Sequence, residues 1–364
     1  MSVTWEHSED IVLQTSWAIC LTVMPNEDEG EHDKKFVWGG LNNTVSVVGT
    51  GATESVKYHG HGAFVAAVSV APDKKTIASG GGDGLVKIWR DGECVQTLNK
   101  HGGSAVAPRR GTRAARLHKR RRLARARAVA RRAVGAAARA PRTSRAAPPQ
   151  VTAVAWHPSS GKLASGGCDR SVIVWSGGGE LAVEKKHSEH DDDCNCVAWS
   201  PCGEQLASGG DDGVVRVYSQ GSALKGKGKK HAVNDCRFSP DSKRIACAYA
   251  DGVVRVFRVG GGSAQVTLKH GDGPCSCLCW NSHGLWSGGW NKRLTLWNPG
   301  KGAQVQSIRA GSKVFSVAST AGDAEICATV KAGKLMIWKP KKAEATSYVK
   351  KLMSLLTVDV SQFQ

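Results

Sequence analysis

No run of about 18 consecutive apolar residues occurs in the 364-residue chain, so a membrane-spanning helix is not expected. The N-terminus, MSVTWEHSEDIVLQTSW, carries acidic residues and lacks the basic-then-apolar order of a secretory leader. An intracellular chain with twelve reduced cysteines is therefore expected, in the cytoplasm, with the nucleus as the alternative. No Gly-x-Ser-x-Gly elbow is present to support a serine hydrolase, and no Cys-x-x-Cys pair to support a zinc site.

Acidic residues are also missing between Gly102 and Pro149, a stretch that holds fifteen Lys and Arg. The net charge is +19, so removing that stretch leaves about +4, ordinary for a protein surface. The basic character belongs to one segment.

What the chain does have is a repeat. SGGGDGLVKIW ends at Trp89, SGGCDRSVIVW at Trp175, SGGDDGVVRVY at Tyr218, AYADGVVRVF at Phe257 and SGGWNKRLTLW at Trp297. Weaker copies, WGGLNNTVSVV and VKAGKLMIW, end at Val48 and Trp338. Successive ends lie 41, 86, 43, 39, 40 and 41 residues apart. A period of about 40–45 is that of a four-stranded propeller blade, and only the interval holding the basic segment breaks it.

Most units open with an alternating apolar run closed by Pro, such as FVAAVSVAP or VTAVAWHP, which reads as a strand with one packed face followed by a turn. Six residues before the final aromatic position stands Asp83, Asp169, Asp212 or Asp251, with Asn42 and Asn291 in two units. That is where a tight turn joins two strands, and the side chain can accept backbone N–H bonds there.

Period, turn and aromatic together resemble the WD-repeat family over nearly all of the chain outside 106–150. The resemblance implies a seven-bladed all-β propeller. Each blade would be pinned by a His, a Ser or Thr, the turn Asp and the aromatic: His61, Ser79, Asp83 and Trp89, then His190, Ser208, Asp212 and Tyr218. Closing such a ring removes exposed sheet edges. The expected organisation is 1–105 for blades one and two, 106–150 as an insertion, 151–342 for blades three to seven, and 343–364 as a tail or closing strand. VTWEH, DIVLQ and LMSLLTVDV all remain candidates for that closing strand.

Deleting 106–150 would shorten the broken interval to 41 residues and place His101 twelve residues before Pro158, close to the eleven between His61 and Pro72. Val106 has codons that begin GT, Gln150 has one that ends AG, and the Ala, Arg, Gly and Pro between them suit a translated GC-rich noncoding stretch. The favoured reading is a retained intron. Its rival is a genuine basic loop, with HKRRR as a nuclear-localisation or RNA-binding patch, although no aromatic residue accompanies it for base stacking.

Other constellations have plain structural readings. His, Ser and Asp recur once per blade, which an active site does not do, so no catalytic residue is assigned. Cys194 and Cys196, like Cys275, Cys277 and Cys279, are two apart along a strand and so are expected on one face. They read as small buried hydrophobes, and neither a metal nor a cofactor is expected. GGGDG precedes a strand and not a helix, so it is turn chemistry, and EHDDDC reads as a solvated loop.

Recognition of other proteins or peptides remains. In the WD-repeat family, the loops entering each first strand share a docking face with the Asp turns. On that face the resemblance places Cys168 and Arg170, Asp211, Trp290 and Lys292, and Lys331. A Trp in a turn is a common interface anchor, the alternative being that Trp290 packs on Trp286. TSWAICLTVMP with FVWGGLNNTVSVV also resembles a blade of heterotrimeric G-protein β subunits, which implies that Trp17 lies on the face that meets α subunits and effectors. The expected function is a non-enzymatic scaffold, a monomeric propeller inside a larger complex. The alternatives are a G-protein β-like signalling subunit or an RNA-associated propeller that uses 106–150.

Overall fold

Seven of the alternating runs become seven inner strands: Ala18–Met24, Val65–Val70, Val151–Trp156, Cys194–Trp199, Val233–Phe238, Cys275–Asn281 and Val314–Ser319. Each begins a four-stranded antiparallel sheet; in six of the sheets the remaining strands follow outward in chain order, and in the seventh the outermost strand comes from the N-terminal residues. Every inner strand neighbours the inner strands of the blades on either side, and the first touches the last, so the ring is closed. This all-β, seven-bladed arrangement is seen in a computed structural model that describes residues 4–13, 17–24, 34–50, 55–102, 149–219, 222–227, 231–261, 263–320, 323–331 and 333–341, without the side chains of 219 and 222–227. Residues 103–148 and 342–364 lie outside the described residues, and with them most of the proposed insertion and the tail.

The small residues of the repeat are explained by how blades touch. The second strand of each blade, such as Ile77–Gly81 or Leu163–Gly167, is buried along its length because it lies between neighbouring sheets. A Cβ on Gly80 would stand 2.6 Å from Val151 Cγ1, on Gly166 2.7 Å from Cys194 Sγ, and on Gly209 2.5 Å from Val233 Cγ1. In each case the opposing atom belongs to the first residue of the next inner strand. Glycine here sets the spacing between blades.

The N-terminal strand Trp5–Val12 closes the ring. It pairs antiparallel with Lys334–Pro340 and completes the seventh sheet. The start of the chain therefore belongs to blade seven, which corrects the assignment of all of 1–105 to blades one and two. Trp5 packs edge-on against Trp286 at 5.2 Å, its backbone N–H donates to Gln306 Oε1, and Gln306 Nε2 donates back to the Trp5 carbonyl. Buried Glu325 in blade seven meets Lys34 of blade one at 2.8 Å and Lys339 at 3.3 Å.

Polar networks fix the blades internally. In blade two, Trp89 Nε1–H donates to Ser79 Oγ at 2.7 Å. The hydroxyl proton is then available to His61 Nε2, also at 2.7 Å, which leaves His61 Nδ1–H to donate to Asp83 at 2.9 Å. His190, Ser208 and Asp212 repeat this in blade four, where Tyr218 takes the aromatic place. In blade three the histidine is His101, which lies before the basic segment. It reaches Ser165 and Asp169, which lie after that segment, at 2.7 and 3.0 Å. Blade six uses Asn291, whose Nδ2 donates to the His270 carbonyl. Asp251 of blade five pairs instead with Arg255 at 2.8 Å.

The same turn residues also cap the backbone. Asp83, Asp169, Asp212, Asp251 and Asn291 accept the N–H of Leu85, Ser171, Val214, Val253 and Arg293, respectively. Burial raises the Asp169 pKa, but the His101 hydrogen bond and charge and the Ser171 bonds outweigh it and bring it to about 2. Asp212 is likewise at about 2, with burial opposed by His190, the Val214 N–H and Arg216.

One expectation fails. A bulge falls between the first and third residues of all seven inner strands, including Cys194/Cys196 and Cys275/Cys277. Period-two alternation is broken there, so the two thiols of each pair go to opposite faces. Cys194 packs with Ala164 and Val174 of blade three, whereas Cys196 packs with Val233 and Cys247 of blade five. Cys275 and Cys277 are divided in the same way between the cores shared with blades five and seven. Burial holds all four thiols well above their ordinary pKa, which opposes thiolate ligation.

Two outcomes follow from these networks. Ser165→Ala strands the Trp175 and His101 nitrogens and should cost about 2–4 kcal/mol, read from urea unfolding; a change below about 0.5 kcal/mol would contradict the network's role. Because the folded pKa values of Asp169 and Asp212 lie below 3.8, their contribution of about 2 kcal/mol each is complete above about pH 4 and is lost between about pH 4 and 2. Asp169→Asn should therefore flatten the acid limb of the stability–pH curve.

Candidate functional site

One rim of the ring is built from a sevenfold repeated backbone bond. The residue before each inner strand accepts, at its carbonyl, the N–H that opens the turn between the second and third strands. Leu41 donates to Trp17, Gly82 to Phe64, Cys168 to Gln150, Asp211 to Asp193, Ala250 to Ala232, Trp290 to Pro274 and Lys331 to Lys313. Trp17, Cys168, Asp211, Trp290 and Lys331 thus share a rim with one another.

The turns add a second set. Each holds one residue in the left-handed region, at φ between 61° and 81°: Asn43, Gly84, Arg170, Gly213, Gly252, Lys292 and Gly333. Four are glycine, as sterics favour, but Arg170 and Lys292 place long cationic side chains there. Lys292 is exposed and Arg170 half-buried.

The bulges supply a third set, which the sequence reading missed. The residue inside each bulge is Ile19, Ala66, Thr152, Asn195, Asn234, Ser276 or Phe315. A bulge re-aims the side chain it carries. In blades three to five that side chain is spent on the neighbour: Thr152 donates to the Cys194 carbonyl, Asn195 to the Val233 carbonyl at 3.0 Å and Asn234 to the Cys275 carbonyl at 2.7 Å. Ile19, Ala66 and Phe315 cannot make this bond and leave an apolar lining in blades one, two and seven.

These sets divide the rim into two sectors. Across blades six, seven and one, Trp17 stacks on Phe315 with centroids 5.4 Å apart, Lys331 lies 5.3 Å from the Trp17 ring, and Lys313 lies 3.6 Å from the Trp290 ring. Trp290 thus meets a lysine of the next blade, while Trp286 lies in the core against Trp5. Across blade four the rim is acidic, with Asp191, Asp192, Asp193 and Asp211. Asp211 accepts from Asn195 Nδ2 at 2.6 Å, and the Asp191 N–H donates to Asp212. Cys168 and Arg170 of blade three lie beside this acidic sector. The candidate residues therefore share one rim without converging on one point.

The twelve cysteines form no disulfide, no cluster of three metal-ligating side chains occurs among the described residues, and none of their helices is long and apolar enough to cross a membrane.

Comparison with known proteins supplies the family. The WD domain, G-beta repeat, model matches at 53–90, 142–176, 182–219, 222–258 and 262–298, together more than half of the chain. Matches such as 182–219 begin in the outermost strand of one sheet and end in the third strand of the next, so the sequence repeat straddles two blades. No curated protein matches the sequence. Among solved structures, the WD40 β-propeller domain of Doa1 superposes with a TM-score of 0.68 at 13% identity, covering 93% of this chain and 98% of that one. The fold is shared. With five matched repeats seated in a closed seven-bladed ring, the chain belongs to the WD40 repeat family.

Proposed function

We propose that this protein is a non-enzymatic scaffold that binds protein partners on the rim formed by the strand-entry loops and the Asp turns. The observation that carries this reading is the aromatic sector of Trp17, Phe315 and Trp290. All three are only half-buried, and Leu41 beside Trp17 is 39% exposed. Large rings in that position contribute little to the core and are suited to anchoring a partner, because they bury much area for little lost rotamer freedom. His, Ser and Asp are already committed to holding the blades together, which leaves them no catalytic part.

We also infer that 106–150 is an addition to a complete propeller, with a retained intron as the favoured origin. In support, His101 and Val151 already sit in blade three on either side of it, in the geometry that His61 and Val65 have in blade two.

Two measurements test these readings. Trp17→Ala and Trp290→Ala should each reduce recovery of partners from lysate by about tenfold, matching the loss of one interface anchor of about 1.4 kcal/mol or more. Undiminished recovery would reject the aromatic rim as the docking face. Sequencing the transcript across codons 100–155 should find a message that lacks 106–150, and finding only the long form would reject the intron.

A further inference from the structure

We infer that blades six, seven and one form a receptor for an acidic peptide segment bearing bulky apolar residues, a proposal that rests on the loop-face reading above. Three independent features of the sector specify this partner: its lining, its charge and one costly backbone position.

The lining selects apolar anchors. In blades seven and one the bulge carries Phe315 and Ile19 in place of the polar side chains that Thr152, Asn195 and Asn234 use to bond the next blade, while Ser276 stands there in blade six. The Trp17–Phe315 stack continues that lining onto the rim. A partner gains there by burying apolar area, at roughly 25 cal/mol per Å².

The charge selects carboxylates around those anchors. Lys292, Arg309, Lys313 and Lys331 border the sector, and Asp272 is the one carboxylate in the loops 270–274, 290–293, 310–313 and 331–333. Lys292, Arg309 and Lys331 make no ion pair among the described residues. Blade four, two blades from blade six and three from blade one, has the opposite sign in Asp191, Asp192, Asp193 and Asp211. A basic segment would be drawn toward blade four and an acidic one toward blades six to one, so the face also sets the orientation of its partner.

Lys292 is kept at a cost. Blades two, four, five and seven place Gly at its position, and blade six holds a lysine there at φ 63°. A non-glycine residue in this region is disfavoured by about 1–2 kcal/mol, and nothing in the propeller core requires this side chain. It is exposed, and it flanks Trp290. Such a residue fits a role in contacting a partner.

The test uses the full chain and two labelled twelve-residue peptides read by fluorescence anisotropy. One alternates Glu with Trp and Leu; the other carries the same Glu residues, with Ser in place of every apolar residue. The second peptide reports any attraction due to charge alone, including that of 106–150. The first peptide should bind about tenfold more tightly than the second, Trp17→Ala should abolish that difference, and Lys331→Glu combined with Lys292→Gly should weaken binding of the first peptide about tenfold. Lys292→Gly relieves a strained position, so its thermal midpoint should not fall and a misfolded variant will be recognised. Equal binding of the two peptides would overturn the proposal. So would indifference to both substitutions, or an oligouridylate losing affinity on them while the peptide does not. If lysate recovery depends on Trp17 and Trp290 while peptide binding ignores Lys292 and Lys331, the loop-face reading stands and the acidic partner is rejected.

Discussion

Closure of the ring is the constraint on which everything else rests. Each second strand is buried only because a neighbouring inner strand covers it, and the glycines at Gly80, Gly166 and Gly209 let the sheets approach that closely. An open ring would expose two sheet faces and an unpaired edge. The N-terminal strand prevents this by completing blade seven. It is locked by Trp5 against Trp286, by paired bonds with Gln306, and by Asp10 paired with Lys334 at 2.9 Å. Only a closed ring brings seven equivalent loops to one rim, where Trp17 of blade one can stack on Phe315 of blade seven.

The same repeated chemistry separates frame from function. Beneath the rim, His–Ser–Asp networks in blades two, three and four and the His270–Ser287 and His270–Asn291 bonds in blade six tie the turns to the sheets, so residues on those turns are displayed on a braced support. The conserving elements are small or polar and hydrogen-bonded. The varying ones, Trp290 against Gly82 or Lys292 against Gly84, project from the same backbone positions. Recognition can therefore be rewritten blade by blade without disturbing the core.

Much of this was legible in the sequence because it repeats. The period of about 40 residues, the turn carboxylates and the aromatic ends specify the blades, and the resemblance to the WD-repeat family implied the partners of Asp83 and Asp212. Other features were only partly legible or not legible. The closing strand WEHSEDIV shares no motif with the blades, because it pairs only on one edge and has no turn of its own to mark, so VTWEH and DIVLQ could be named only as candidates beside LMSLLTVDV. The bulge within CNC and CSC leaves no mark in an apolar alternation, so period-two reasoning put Cys194 and Cys196 on one face when they serve two different cores. Phe315 and Ile19 looked like ordinary strand hydrophobes, and their place on the rim lining becomes visible only once that bulge is known. The division into an aromatic, cationic sector and an acidic one depends on the order of blades around the ring. It emerges only when the loops of blades six, seven and one are seen side by side.

Hydrogen exchange of the full chain, measured with and without a captured partner, tests the central claim most directly. The account predicts new protection in 17–19, 41–43, 290–292, 313–315 and 331–333, with the turns of the opposite rim at 72–75, 158–161, 201–204 and 240–243 unchanged. Protection confined to that opposite rim would contradict it.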